Sequence, residues 1–402
     1  MSEFETTGLS ITLFKPTITV TEVAVGPNTC VWVPEGAYLS SFAQEVTDYQ
    51  HSLQALGGYS DASFSLVLNK VDLEWWIQEG LGVHVVTKNP AGVTVWEGFV
   101  NELAINLGHF SMNLGPLTST GNQVTAIYTM EDTTTTPPTT GVRMRTSVRN
   151  YLLAQQRYGI FPKVITVGGA TTVESGYIRS QWLWERAWPD TTKKVGMGQG
   201  EGNVLLTFKC SGYYAMLNYP YNNLVPPVGT VALSTKIGSI LTAAPNALFS
   251  TANASIAACA LPVPVYEGDD QLGWSIIKDL VVQGDGGFVR YICGVYAGRN
   301  IVYIPTSEEI FYFSRLTDTL QQVTDLAGSP IAPWDVLPGK WLLFPDLLPG
   351  MDTPTGSGAF WSDPRAMFIE EISYTAPYSI QLTGGKSDHL TQRLAQLGLG
   401  GA

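Results

Sequence analysis

Cysteine and histidine, the side chains that most often hold metals or act as nucleophile and base, are scarce: the 402-residue chain has four of each. Cys30, Cys210, Cys259 and Cys293 stand far apart with no C-x-x-C pair, and His51, His84, His109 and His389 are equally scattered. This spacing excludes a zinc motif and a disulfide framework, and it predicts buried thiols. Charge is thin as well, at 14% Asp, Glu, Lys and Arg against 45% hydrophobic residues. Much of the surface must therefore be Ser, Thr, Asn, Gln and Gly, or be covered by further copies of the chain. The formal charge of −12 and pI of about 4.8 exclude a broad basic groove for nucleic acid, because phosphate binding needs clustered Lys and Arg. Long apolar runs are missing too. The longest, Ile256 to Tyr266, contains two prolines and falls well short of the ~20 residues that a spanning helix requires, so no membrane insertion by this chain is expected. The opening "MSEFETTGLS" is acidic and polar where a secretory leader is basic and then apolar, which predicts synthesis in a cytoplasm.

Catalytic motifs are absent. There is no G-x-S-x-G and no H-E-x-x-H. The Gly-rich stretch "TTKKVGMGQGEG", residues 191–202, reads as a loop, and Glu201 stands where a dinucleotide fingerprint needs glycine. "GGKS" at Gly384 to Ser387 has the end of a phosphate-binding loop, but Ile380 occupies the position of its first glycine. Acidic doublets occur at Asp269-Asp270, Glu308-Glu309 and Glu370-Glu371. Neighbours in a strand point to opposite faces, so no doublet supplies a carboxylate pair across a cleft. A pair drawn from separate segments stays open. No catalytic, cofactor-binding or metal-ligating residue is assigned, and no cofactor is expected.

What is present is strand texture. "VWEGFVNELAINL", from Val95, alternates with a period of two, placing Val95, Phe99, Leu103, Ile105 and Leu107 on one face and Trp96, Val100 and Ala104 on the other. Similar runs fill Ile11 to Met130, punctuated by Gly57-Gly58, by Asn89-Pro90-Ala91-Gly92 as a hairpin turn, and by Gly115-Pro116. "VDLEWWIQEGLG" is the one helix expected there. "EDTTTTPPTTG" follows, extended and with nothing to bury. Next, "TSVRNYLLAQQRYG" predicts a helix capped by Thr146 or Ser147 and stopped at Gly159, and "VESGYIRSQWLWERAWPD" predicts another stopped by Pro189. Its Tyr177, Trp182, Trp184 and Trp188 could stack on a sugar or a base, but Ile178, Trp182 and Trp188 fall on one helical stripe, the pattern of a packed face. Strands resume at Asn203. Helical texture is expected in "TKIGSILTAA", "ALFSTANASIAACA" and "LGWSIIKDLVVQGD", strands from Gly286 to Gly385 with a turn at Gly298-Arg299-Asn300, and a short amphipathic helix in "HLTQRLAQLGLGGA".

The combination of "LQALGGYSDASFSL", "WIQEGLGVHVVTKNPAGVTVWEGFVNELAINLG", "YIRSQWLWERAWPD", "GYYAMLNY", "SPIAPWDVLPGKWLLFPDLLPG" and "DPRAMFIEEISYTAP" resembles the tail-hub proteins of long-tailed bacteriophages, which are related to the baseplate hubs of contractile tails. The resemblance implies a mainly β fold of two tube-like β-barrel domains with a helix-containing middle domain and a helical insertion. The expected division is a first barrel over 1–132, a Thr/Pro linker over 133–141, a small mixed α/β domain over 142–202, and a second barrel over 203–402 with its insertion at about 230–284. It also implies a homotrimer at the tail tip of the virion, made in the host bacterial cytoplasm. Its six barrels would continue the hexameric tail tube, and tape-measure protein and DNA would pass through without specific binding. Further partners implied are the distal tail protein and tail fibre or spike proteins, with any cell-wall enzyme or receptor-binding part on another chain. The alternatives are a distal tail or adaptor ring of the same tail, as a hexamer, and a carbohydrate-binding or cell-wall-degrading tail component.

Overall fold

The computed structural model describes residues 9–39, 46–68, 73–132, 139–167, 186–197, 204–221, 229–249, 255–265, 271–285, 291–306, 310–315, 321–344, 366–375 and 379–385. The fold is mainly β. Strands β1 (Ser10–Thr21), β2 (Thr29–Tyr38), β3 (Val46–Gln54) and β4 (Leu56–Leu68) precede helix α1 (Leu73–Glu79). Then come β5 (His84–Lys88), β6 (Thr94–Asn106), β7 (Phe110–Leu114), β8 (Gln123–Asp132), β9 (Thr139–Arg145) and β10 (Arg149–Asn150). Helix α2 (Leu152–Tyr158) leads to β11 (Pro162–Val167), β12 (Thr191–Val195) and β13 (Val204–Gly212). A helix-bearing stretch holds β14 (Thr230–Ala232), α3 (Leu233–Thr242), β15 (Asn246–Ala247), β16 (Ser255–Ile256), β17 (Pro262–Pro264) and α4 (Gly273–Gln283). The last strands are β18 (Tyr291–Tyr296), β19 (Asn300–Pro305), β20 (Ile310–Arg315), β21 (Gln321–Thr324), β22 (Trp341–Leu343), β23 (Ala366–Thr375) and β24 (Ser379–Gly385).

One antiparallel path dominates: β12–β7–β6–β13–β4–β3–β23–β24. β13 is paired on both edges, to β6 and to β4, so residues 204–212 are held by strands from before residue 107 and cross the division expected at 203. From the first half of β6 a second path runs through β5 and β1 to β2. Among the described residues these paths do not close into a barrel. β8 is the centre of a separate sheet, with β9 and β10 antiparallel and β11 parallel to it. The parallel pair is β8 and β11, and the connection between them runs through β9, β10 and helix α2.

The Thr/Pro segment expected as a linker is flanked by paired strand, with Glu131 opposite Thr140 and Asp132 opposite Thr139. Residues 139–141 are therefore strand, and residues 133–138 lie outside the described ones. Repeated Thr favours extended backbone, and here the extension is used for pairing. The Gly-rich stretch expected as a loop likewise begins with a strand, since Thr191 to Val195 pair with β7. The helix expected in "ALFSTANASIAACA" is not formed in its described residues, where β15 pairs with β2 and β16 with β19. The helix after the Thr/Pro segment starts at Leu152, behind Tyr151, because Arg149 and Asn150 are drawn into β10. Most of the helix expected at 173–190, including Tyr177, Trp182 and Trp184, and the helix expected at 389–402 fall outside the described residues.

β6 shows how alternation becomes architecture. Both of its faces are buried from Val95 to Val100, and beyond that Leu103 and Ile105 are buried. The single register expected from the sequence is broken by two bulges, because pairing with β13 skips Asn101 and pairing with β5 skips Val95. A bulge inserts one unpaired residue and changes which neighbours share a face. Along β13, β3 and parts of the neighbouring strands, burial alternates. Ile372, Tyr374, Tyr49, His51, Leu53, Ala62, Phe64, Leu66, Leu206, Phe208, Cys210, Met112 and Leu114 all face the core. Helices α3 and α4 add apolar stripes at helical spacing, Leu233, Ile237, Ile240 and Leu241 in one and Trp274, Ile277, Leu280 and Val281 in the other. β18 approaches β4 so closely that a Cβ on Gly294 would lie 2.3 Å from the Gly58 nitrogen, which only glycine permits.

His51 sits in this core, 3% exposed, with its ring stacked 5.0 Å from Tyr374. Burial holds its imidazole down to about 3 from an ordinary 6.5. The unfolded chain thus takes up a proton below 6.5 that the folded chain refuses until about 3. Stability is complete above 6.5 and is lost as pH falls through that window, by about 1.4 kcal/mol per pH unit. His84, held to about 4 chiefly by burial, has the same sign. Urea unfolding is expected to show lower stability at pH 5 than at pH 7.5, with His51→Phe flattening the dependence. An unchanged pH slope in that variant would contradict a buried neutral His51.

Candidate functional site

The face of the main sheet turned away from the core is polar across its whole width. Reading across the ladders gives Ser379, Gln381 and Thr383 on β24, then Glu371, Ser373 and Thr375 on β23. Gln50, Ser52 and Gln54 follow on β3, and Asp61, Ser63 and Ser65 on β4. Thr207, Lys209 and Ser211 continue it on β13, Glu102, Ala104 and Asn106 on β6, Ser111 and Asn113 on β7, and Thr192 and Lys194 on β12. Each strand supplies these residues because side chains alternate with a period of two, one set buried and the other set left out. Only at one end do apolar side chains reach this face, at Val67 and Leu205, 42% and 39% exposed.

Short side chains tie the face to itself. Gln50 Nε2 donates to Ser63 Oγ at 2.8 Å, Ser65 and Thr207 share a hydrogen bond at 3.1 Å, and Lys209 Nζ meets Glu102 Oε2 at 2.9 Å. A groove of about 480 Å³ runs along it, lined among others by Gln50, Ser63, Asp61, Glu102, Lys209 and Glu371. Partial burial raises the Asp61 carboxyl above its ordinary range, and the charge of Glu371 adds to this, while hydrogen bonds from Ser60 and Ser211 oppose it. Apart from Val67 and Leu205 at one end, the face offers no large apolar side chain for another element to cover. Its three carboxylates outnumber two ammonium groups, so it also lacks the positive field that phosphate needs.

The second notable cluster lies behind β6, with His84 and Glu97 buried and Glu35 exposed. Arg299, in the turn between β18 and β19 at φ 58°, places Nη1 2.9 Å from Glu97 Oε1 and 2.5 Å from Glu35 Oε1. The Gly298 N–H donates to Glu97 Oε2 at 2.6 Å. His84 Nδ1 lies 2.7 Å from the Tyr213 hydroxyl and 3.2 Å from the Gly98 carbonyl, with Nε2 3.8 Å from Glu97 Oε1. Burial raises the Glu97 carboxyl, opposed by Arg299 and the Gly298 N–H. Burial pulls Glu35 up as well, but the hydrogen bond and charge of Arg299 win and lower it. Arg299 is raised overall, since the two carboxylates outweigh its own desolvation.

Ligand atoms of Glu35, His84 and Glu97 lie within 4.8 Å of one another, a spacing that could hold a metal ion. Arg299 already supplies the positive charge between both carboxylates, and His84 Nε2 is buried with no hydrogen-bond partner among the described residues. The cluster is a clasp: it fastens the β18–β19 turn to β2, β5 and β6. Sequence reading missed it, although Glu97 beside Trp96 in an apolar strand and Arg299 in its turn were both visible. Their pairing spans about 200 residues, and nothing local announces it.

The other residues weighed from the sequence are dispersed. All four cysteines are free and buried. His109 is exposed, and Glu370 lies in a bulge of β23, where the pairing with β24 skips from Ile369 to Glu371. Trp188 is packed between Tyr151 and Tyr158, at 5.7 and 5.9 Å, which removes it from a stacking platform. Asp269, Asp270, Glu308, Glu309 and His389 lie outside the described residues.

No family model matches the sequence, and no curated protein matches it. Among solved structures, the chain is similar to the prophage MuSo2 43 kDa tail protein from Shewanella oneidensis, at 7% identity and TM-score 0.41 over 94% of this chain and 98% of that one. It is also similar to a tail protein from Neisseria meningitidis MC58, at 10% identity and TM-score 0.38 over 96% and 99%. A third is the E. coli c3393 protein, described as a component of the type VI secretion system with structural similarity to the T4 bacteriophage tail proteins gp27 and gp5. It matches at 8% identity and TM-score 0.35 over 93% and 78%.

Removing one partner of a buried ion pair leaves the other charge stranded, which costs about 3–5 kcal/mol. Arg299→Leu is therefore expected to lower unfolding stability by about that amount, because Glu97 is only 5% exposed. Adding Glu97→Gln to it should recover part of the loss. A change below about 1 kcal/mol in Arg299→Leu would contradict the clasp.

Proposed function

We propose that this protein is a structural component of a bacteriophage tail, a trimeric hub at the tail tip whose polar sheet face lines the passage for tape-measure protein and DNA. The observation that carries the reading is that face: an open antiparallel sheet, wide and cross-linked by its own short side chains, with a full core on one side and, on the other, little apolar surface beyond Val67 and Leu205 at one end. A passage wall needs these properties. Apolar patches would hold a protein in transit, and clustered cations would hold DNA through its phosphates. The resemblance in sequence to tail hubs supports the same reading, and the clasp at Arg299 supplies rigidity where the β18–β19 turn meets the first sheet.

No catalytic role is given to the chain. The carboxylates of the polar face, Asp61, Glu102 and Glu371, keep DNA phosphates at a distance by like charge, and Lys209 is engaged by Glu102. Receptor binding and cell-wall cleavage fall to other tail proteins. The virion is the site of action, and the host cytoplasm the site of synthesis.

Quantitative mass spectrometry of purified tails tests the reading. Three copies of this chain per tail are expected. Six would favour a distal adaptor ring, and absence from tails would overturn a virion role altogether. For the polar face, no retention of duplex DNA is expected from the purified protein even at low salt, where screening is weakest. Release of reducing ends from host cell wall, lost in Asp61→Asn, would instead make the groove an active site.

A further inference from the structure

The main sheet has two ends. Among the described residues β12 is paired only through β7, and β24 only through β23. Each therefore presents a row of backbone donors and acceptors with no partner strand among the described residues, a state that folded proteins usually cover. β12 is unusual in a second way: all five of its residues are exposed. A strand open to solvent on both faces and along one edge gains little from the fold that carries it.

Resting on the trimeric reading above, we propose that these two edges are complementary, so that β12 of one copy adds to β24 of the next and three copies close into a ring. Strand direction comes first. Every step from β12 to β24 is antiparallel, and the path has eight strands, so β12 and β24 run in opposite directions. A β12 placed against the β24 of a neighbour in the same orientation about the ring axis therefore continues the antiparallel ladder without reversal. Side-chain parity is the second argument. In such a ladder, Thr192 and Lys194 can stand beside Ser379, Gln381 and Thr383, and the polar face passes from one copy to the next unbroken.

Charge is the third. β12 reads Thr-Thr-Lys-Lys-Val, a basic edge on a chain of net charge −12, and neither lysine has a carboxylate partner among the described residues. The opposite end carries Glu370 and Glu371 on β23, one strand in from β24. Lys193 and Lys194 would thus approach an end of the sheet that carries carboxylates. The contact is head-to-tail. Such a contact forms rings when its rotation closes and filaments when it does not.

Cysteine cross-linking reads this directly, since the four native thiols are buried. Thr192→Cys is combined in turn with Ser379→Cys, Gln381→Cys and Thr383→Cys, and purified protein is oxidised mildly. At least one combination is expected to give covalent trimers on denaturing gels. Mixing the matching single variants is expected to give linked pairs only. In unmodified protein, Lys193→Glu with Lys194→Glu is expected to weaken self-association at least tenfold by sedimentation, with an unchanged circular dichroism spectrum. No link between copies in any register, links through Thr192→Cys alone, or open filaments would overturn the proposal. Copies that fail to link while three are found per tail would remove the edge pairing and leave the tail reading. Linked rings of a chain absent from tails would do the reverse.

Discussion

Strand β13 is the constraint on which the rest of the fold depends. Its nine residues pair with β6 along one edge and β4 along the other, joining segments more than 90 residues apart in sequence. Without it, β4 and β6 would belong to separate hairpins, and neither the core beneath nor the polar face above would be continuous. Its own pattern is the simplest form of the rule that governs the sheet: Leu206, Phe208 and Cys210 go to the core, and Thr207, Lys209 and Ser211 to the outside. Non-local pairings of this kind are slow to form, because loop closure must precede any gain from contact.

The buried clasp at Arg299 solves a different problem. The β18–β19 turn comes late in the chain and must be fixed to strands that come early. An apolar contact would hold it equally well, but a desolvated ion cluster with defined hydrogen-bond geometry admits only one register. Glu97 accepts from both the Arg299 guanidinium and the Gly298 N–H, so the turn cannot slide along β6 without stranding a charge. The same cluster has the ligand spacing of a metal site, with the guanidinium supplying positive charge to its two carboxylates.

Much of this was legible in the sequence. The strands of the first sheet, the three helices α1, α3 and α4, the turn at Gly298-Arg299-Asn300 and the absence of a catalytic motif all follow from periodicity and turn chemistry. The polar face was present strand by strand, in Gln50 and Ser52, in Ser63 and Ser65, in Thr207 and Lys209. It could not be assembled, because a strand does not state its neighbours. The two bulges of β6 were invisible for a related reason, since each exists only relative to a partner strand. Local composition misled where tertiary pairing overrode it: Thr191 to Val195 read as loop, and the Ala-rich stretch from Ala247 to Ala260 read as helix.

The central claim is that the polar face of the main sheet looks into a passage formed by several copies of this chain. Electron cryomicroscopy of intact tails measures it most directly. The account predicts density for the row Thr375, Gln50, Ser63, Lys209 and Glu102 facing the tail axis across an open lumen. Density that turns this row outward, or covers it with another protein, would contradict the account.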